Sequence, residues 1–262
     1  MKIRIVILCA TLYTLALTVK AQERMHSTMF GGGWADVYDT YLSPYKYKGG
    51  EMRIIRETYR PTKILDGHIK VQTLANFDAG YLENRGGEAH EWFGGFRYSF
   101  NWLYGTSTSI CNNQLQLMAG TGVSGYLGGI YNTRNGNNPA QGKADVMINL
   151  TGKIDYAFNV WNKQCHVNYQ FIIPLVGVAF SPNFGQSYYE AFSLGNYDHN
   201  VVFAWLGNKP SMQHSLIVSF PVAKNIVCVG YYGEFLQSTW NNLRYHQYSN
   251  DILIGWKKYF TL

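Results

Sequence analysis

From Lys143 to Trp161 the chain alternates over nineteen residues, one row apolar throughout and the other largely polar but for Met147, Ala157 and Trp161. The even positions are Ala144, Val146, Ile148, Leu150, Gly152, Ile154, Tyr156, Phe158 and Val160. The odd positions include Lys143, Asp145, Asn149, Thr151, Lys153, Asp155 and Asn159. Successive side chains of a β-strand point to opposite faces, so a period of two places an apolar row on one side and a largely polar or charged row on the other. Strands of soluble proteins usually run only about 5 to 6 residues. A run this long fits a tilted strand that crosses roughly 25 Å of hydrocarbon and protrudes at both ends.

The pattern recurs. Between Ile69 and Tyr81 the apolar row is Ile69, Val71, Thr73, Ala75, Phe77, Ala79 and Tyr81, against Lys70, Gln72, Leu74, Asn76, Asp78 and Gly80. Between Trp92 and Tyr104 it is Trp92, Gly94, Phe96, Tyr98, Phe100, Trp102 and Tyr104, with aromatic rings at both ends, as an interfacial girdle requires. Further candidates are 114–131, 165–177, 212–222, 225–237 and 248–260, with weaker ones at 34–42 and 52–59, and segment 179–208 has room for another pair. Single-chain bacterial barrels have even strand numbers. The expected fold is therefore all-β, a single antiparallel transmembrane β-barrel of ten strands, with twelve as the alternative. After Gln22 no window is apolar for the roughly 20 residues that a spanning helix needs.

The first residues carry an address. Lys2 and Arg4 precede an apolar run from Ile5 to Leu17, and Val19-Lys20-Ala21 closes it with small or β-branched residues where a signal peptidase cuts. The expectation is a signal peptide at 1–21 and a barrel domain at 22–262, placed in the outer membrane of a Gram-negative bacterium. Removal of the leader takes away three of the 22 basic side chains and none of the 16 acidic ones, leaving 19 against 16, a net charge of +3. That balance lacks the basic excess of a nucleic-acid binder. Cys111, Cys165 and Cys228 remain. An odd, sparse set without zinc spacing is neither a disulfide framework nor a metal site, so no cofactor or metal is expected.

Connectors sort by length. If the last strand descends to the periplasm, the links 161–165 and 222–225 are periplasmic and short. The links 82–91, 131–142, 180–211 and 238–247 are external and longer, as in outer-membrane barrels. At the end of the chain Ile252, Ile254, Trp256 and Phe260 share the outward face, and Lys258 interrupts them with a stem that can snorkel to the interface. This ending resembles the aromatic signal by which assembly machinery recognises outer-membrane barrels. The expected partners are therefore outer-membrane lipids and that machinery, with no nucleic acid and no soluble ligand identified.

Two stretches carry a family resemblance. Gly128-Gly129-Ile130-Tyr131-Asn132 through Asn137-Asn138-Pro139-Ala140-Gln141, and Phe180-Ser181-Pro182 through Gly185-Gln186-Ser187-Tyr188-Tyr189-Glu190, resemble an uncharacterised family of exported Bacteroidota proteins. The Ala21-Gln22 junction resembles that phylum too. The resemblance covers most of the mature chain and implies no activity.

On this parity the lumen receives Lys70, Arg97, Lys143 and Lys153 together with Asp78, Glu91, Asp145, Asp155, Glu234 and Asp251. A selective channel is expected to show one dominant sign at its constriction. Mixed charges in a narrow barrel instead pair and block it, because an unpaired buried charge costs several kcal/mol. The loop 181–190, with Ser181, Asn183, Gln186, Ser187, Tyr188, Tyr189 and Glu190, is punctuated as a turn by Pro182 and Gly185 and is the candidate surface for binding a ligand or lipid, or for covering the barrel mouth. The leading expectation is a noncatalytic barrel that is structural, surface-binding or a narrow pore. One alternative is a lipid-modifying hydrolase or acyltransferase, for which Ser187 with His199 and His246 with Ser249 are the available pairs, since a serine nucleophile needs a base within reach. The other is a secreted soluble β-sandwich.

Overall fold

The computed structural model describes residues 23–223 and 225–261. The expected leader at 1–21 and its cleavage before Gln22 lie outside the described residues. The strands are β1 (Glu23–Asp39), β2 (Lys46–Pro61), β3 (Ile69–Asn84), β4 (His90–Ile110), β5 (Asn113–Asn132), β6 (Ala140–Val160), β7 (Lys163–Phe180), β8 (Val201–Trp205), β9 (Met212–Val222), β10 (Asn225–Trp240) and β11 (Leu243–Thr261), with one short helix, α1 (Tyr188–Phe192). Neighbours pair antiparallel in the order β6-β5-β4-β3-β2-β1-β11-β10-β9-β7, and β6 pairs back onto β7. The sheet therefore closes on itself.

The eleven strands fill ten positions. β7 pairs with β8 through Val176–Phe180 and with β9 through His166–Ile172, so β8 and β9 are collinear pieces of one stave. The break between them falls opposite Pro174, which has no N–H for the ladder, and Leu175, an extra residue where the β6–β7 register shifts. On the other side, β9 pairs with β10 only up to Phe235, and no ladder joins β8 to β10 among the described residues. One residue stitches this seam. The Asn208 side chain accepts from the Trp205 N–H at 2.8 Å and donates to the Phe203 carbonyl at 2.8 Å, while its own carbonyl accepts from the Thr239 N–H at 2.8 Å.

Parity follows the alternation. Along β6 the even positions from Val146 to Leu150 lie outward, Val146 at 53% and Ile148 at 48% exposure, whereas Met147, Asn149 and Thr151 are 1% exposed or less. The outward row is apolar and the inward row largely polar, the inverse of a soluble domain. A β-sandwich is excluded by the closure of the sheet. Trp34, Tyr81, Trp92 and Tyr131 form one cross-strand row on the outside, each reached from the next through paired positions, with Gly50 between the first two.

The ends of the barrel differ, though less cleanly than connector lengths predict. At one end lie the links 40–45, 85–89, 133–139 and 181–200, and at the other 111–112, 161–162 and 223–224. Two links break the rule. Residues 238–247, expected to be a long link, instead form a two-residue hairpin turn at the long-link end, with Asn241 and Asn242 at φ 51° and 60°, because the strands continue into the expected loop. The link 62–68 at the opposite end is longer than its neighbours. Of the cysteines, Cys111 is exposed and Cys165 and Cys228 are buried, all three unbridged.

Candidate functional site

The lumen is filled in layers. Just inside the long-link end, Ala35, Val37, Leu42, Tyr47, Leu82, Ala89, Phe93 and Ile130 form a buried apolar cluster. Leu42 and Ala89 belong to links rather than strands, so the connectors themselves turn inward to cap the mouth. At its rim Lys143 Nζ meets Asp39 Oδ2 at 2.7 Å and lies 3.8 Å from the Tyr245 ring centroid. Glu91 accepts from Asn132 Nδ2 at 2.9 Å, and the same amide donates to Tyr47 Oη.

Below the cap sits a ring of charges centred on Arg53, which is fully buried. Its Nε reaches Asp251 Oδ2 at 2.6 Å and its Nη1 reaches Glu234 Oε2 at 3.1 Å. Glu51 and Asp78 follow at 3.5 and 3.9 Å. Asn76 accepts from Nη1 at 3.1 Å, and the guanidinium lies 4.6 Å from the Tyr232 ring centroid. The planar fork of arginine suits such simultaneous contacts, where a point charge would satisfy one or two. Arg97 lies over Tyr126 and completes the ring at 3.5 Å from Glu234 and 3.8 Å from Asp145. Lys209, turned inward from the seam, pairs with Asp145. Three cations thus hold five carboxylates in a space that leaves cavities of about 40 and 30 Å³.

The lower lumen is a hydrogen-bonded layer. Gln72 and Gln170 exchange side-chain hydrogen bonds at 2.8 and 3.1 Å, Asn101 donates to Gln72, and Glu57 accepts from Gln72 and from Lys153, both at 2.6 Å. Beneath it, Asp155 accepts from His166 Nδ1 at 2.8 Å, and Lys70 lies 5.5 Å from the Tyr59 ring centroid.

The ten charged positions singled out in the lumen thus fall at three levels rather than in one cluster, with Asp251 in the central ring and Glu91 at the cap above it. Asp78, Arg97, Asp145 and Glu234 share the central ring, Lys143 lies above it, and Lys153, Asp155 and Lys70 lie below. Sequence reasoning missed Asp39, Glu51, Arg53, Glu57 and Lys209. In β2 the alternation is broken because Ile55 faces inward and Arg56 outward, and Lys209 sits in a link.

Loop 181–190 is an ordered cover whose polar groups are largely spent on itself. Asn200 donates to Ser181 O and Gln186 Oε1, Asn183 Nδ2 donates to Asp198 O, and Gln186 Nε2 donates to Asn196 O. Ser187 and Glu190 form a capping box on α1. The loop is pinned to the barrel by Tyr41 Oη, which donates to Gln186 O at 2.9 Å, and by the Gly142 N–H, which donates to Tyr188 Oη at 2.6 Å. Burial first, then the neighbouring Tyr188, Asp39 and Glu190, pushes the Tyr41 hydroxyl up to about 12. Tyr189, by contrast, projects freely. The serine–histidine pairs are not assembled: Ser187 serves α1, while Ser249 faces inward to Glu51 at 2.9 Å and His246 contacts Asp36 at 3.4 Å.

A closed ten-position β-barrel with a salt-bridged interior is the class that this fold and lumen define. The chain belongs to the family described as protein of unknown function DUF3316, which matches residues 3–262. None of the curated proteins matches it. Among solved structures it is similar to the transport unit of the autotransporter AIDA-I from Escherichia coli, at 8% identity and a TM-score of 0.49 over 94% of this chain and 91% of that one. It is also similar to the outer membrane protease OmpT from Escherichia coli, at 11% identity and a TM-score of 0.44 over 93% and 98%. A third similarity is to an outer membrane channel from Pseudomonas putida F1, at 7% identity and a TM-score of 0.39 over 93% and 97%. Identities this low leave function to be read from the chain's own side chains.

Proposed function

We propose that the chain is exported, loses residues 1–21, and spans an outer membrane as a closed, noncatalytic barrel that presents its capped, loop-covered end at the cell surface rather than conducting solutes. The membrane reading is supported by dimensions. Trp92 and Trp102 lie ten residues apart on β4, a rise of about 3.4 Å each; at a tilt of about 40° this gives ~26 Å along the axis, against an apolar band of about 25 Å. The lipids around that band and the machinery that inserts barrels are the partners this reading requires.

The observation that carries the closed state is Arg53 with four carboxylates within 4 Å at zero exposure. Hydrated ions need a continuous wet path, and here the lumen is crossed by paired charges beneath an apolar cap. Purified protein added to a planar bilayer is expected to give no stable conductance steps. Reproducible single-channel steps from the wild-type chain would overturn the closed reading.

A further inference from the structure

Below the hydrogen-bonded layer the lumen widens into a cup of about 370 Å³ at the short-link end. Ligand sites typically occupy about 300–1,000 Å³. The cup is blind, because the charged ring and the apolar cap close the barrel above it. Its wall includes three methionines, Met25, Met29 and Met118, and Ile217. Flexible, polarisable thioethers adapt to irregular apolar shapes.

The charges in the same wall do not cancel. Both carboxylates are occupied by donors of the wall itself: Glu57 by Lys153 and Gln72, and Asp155 by His166 and, at 3.3 Å, by Asn168. Lys70 and Lys257 also line the cup, and neither has an ion pair within 4 Å among the described residues. Lys70 faces the ring of Tyr59 and lies within electrostatic reach of Asp155 without forming an ion pair within 4 Å. The cup therefore carries one more cation than carboxylate, Lys70, Lys153 and Lys257 against Glu57 and Asp155, beside a partly apolar wall.

We propose that this cup binds an amphipathic anion: a carboxylate or phosphate head on Lys70 and Lys257, with a short apolar tail against Met25, Met29, Met118 and Ile217. Such a molecule enters from the short-link end, either as a fragment of lipid or as a soluble metabolite. The common chemistry is one negative head and a tail of a size that 370 Å³ admits.

The methionines supply their own reporters. Protein labelled with ¹³C at the methionine methyl groups, in phosphatidylcholine nanodiscs, is titrated with octanoate and with octyl phosphate. Expected are saturable shifts of Met25, Met29 and Met118, while outward-facing Met52 reports only partition of the probe into lipid. A Lys70→Gln, Lys257→Gln double variant is expected to bind at least ~10-fold more weakly with its other methyl signals unmoved; one charge-assisted contact is worth about 1.5–3 kcal/mol. A preference for octanoate points to a fatty-acid source and a preference for octyl phosphate to a phospholipid or phosphorylated one, and either supports the site. Equal shifts with octyltrimethylammonium, equal affinity for inorganic phosphate, or undiminished binding by the double variant overturns it. The inference rests on the closed lumen: conductance through the wild-type barrel overturns both readings, whereas a silent barrel with unmoved methionines overturns the site alone.

Discussion

Arg53→Met is expected to destabilise the barrel by roughly 3–5 kcal/mol, the usual consequence of removing one partner from a buried ion pair. Arg53 is the only cation within 4 Å of Glu51, Asp78 or Asp251 among the described residues. Without it, these carboxylates, all at most 7% exposed, repel one another out of reach of bulk water. The measurement is the temperature at which the compact, fast-migrating form converts to the unfolded form on a semi-native gel, which should fall steeply for Arg53→Met. Two controls sharpen it. Adding Glu234→Gln and Asp251→Asn to Arg53→Met should recover part of the loss, since two of the four carboxylates that faced the cation are then neutral. Arg97→Met should cost less, because Arg97 makes no hydrogen bond within range and its ion pairs are longer. Wild-type melting of Arg53→Met would mean that water, not arginine, serves those carboxylates.

Asn208→Leu is expected to release β8. The side-chain amide stands where a neighbouring strand would be, taking one N–H and one carbonyl of β8. Leucine keeps the size and leaves both backbone groups unmet. Both bonds lie on the outer face of the barrel, where an unsatisfied backbone group that meets lipid instead of water costs about 1–3 kcal/mol or more. Amide hydrogen exchange measured by mass spectrometry should speed up ~10- to 100-fold over residues 201–205, the range that 1.4–2.7 kcal/mol of local opening produces. Exchange in β4 and β5 should stay unchanged. Uniform acceleration over the whole barrel would show that the seam is not a separable unit, and no change at all would show that Asn208 is not its clasp.

These two sites mark the boundary of what could be read from residues alone. The staves β4, β5 and β6 were legible because their outward rows are unbroken, and Lys143, Asp145, Lys153 and Asp155 alternate with aliphatics that have no other place to go. β1 and β2 were faint for local reasons. Gly31 to Gly33 carry no side chain to show parity, and a Cβ on Gly33 would overlap the Asn250 carbonyl, so close strand approach rather than patterning selects that glycine. In β2 an inward Ile55 beside an outward Arg56 hides the phase, and with it Glu51, Arg53 and Glu57. Of the stave built from β8 and β9, β9 was legible at 212–222, whereas β8 was not, because the stave is broken opposite Pro174 and the extra Leu175 of β7. Lys209 was missed because nothing about a lysine in a link says that it turns inward. The mixing of charge signs in the lumen was visible early; their convergence on one arginine needed the register of strands distant in sequence.

The most direct test of the account is oxygen and nickel-complex accessibility of spin labels placed singly along β6, in a background lacking Cys111, Cys165 and Cys228 and reconstituted in lipid. Labels at 146, 148 and 150 should be reached by oxygen and not by the polar nickel complex, while labels at 147, 149 and 151 should be shielded from both. High accessibility of 146, 148 and 150 to the nickel complex would place the apolar row in water and contradict the lipid-embedded barrel.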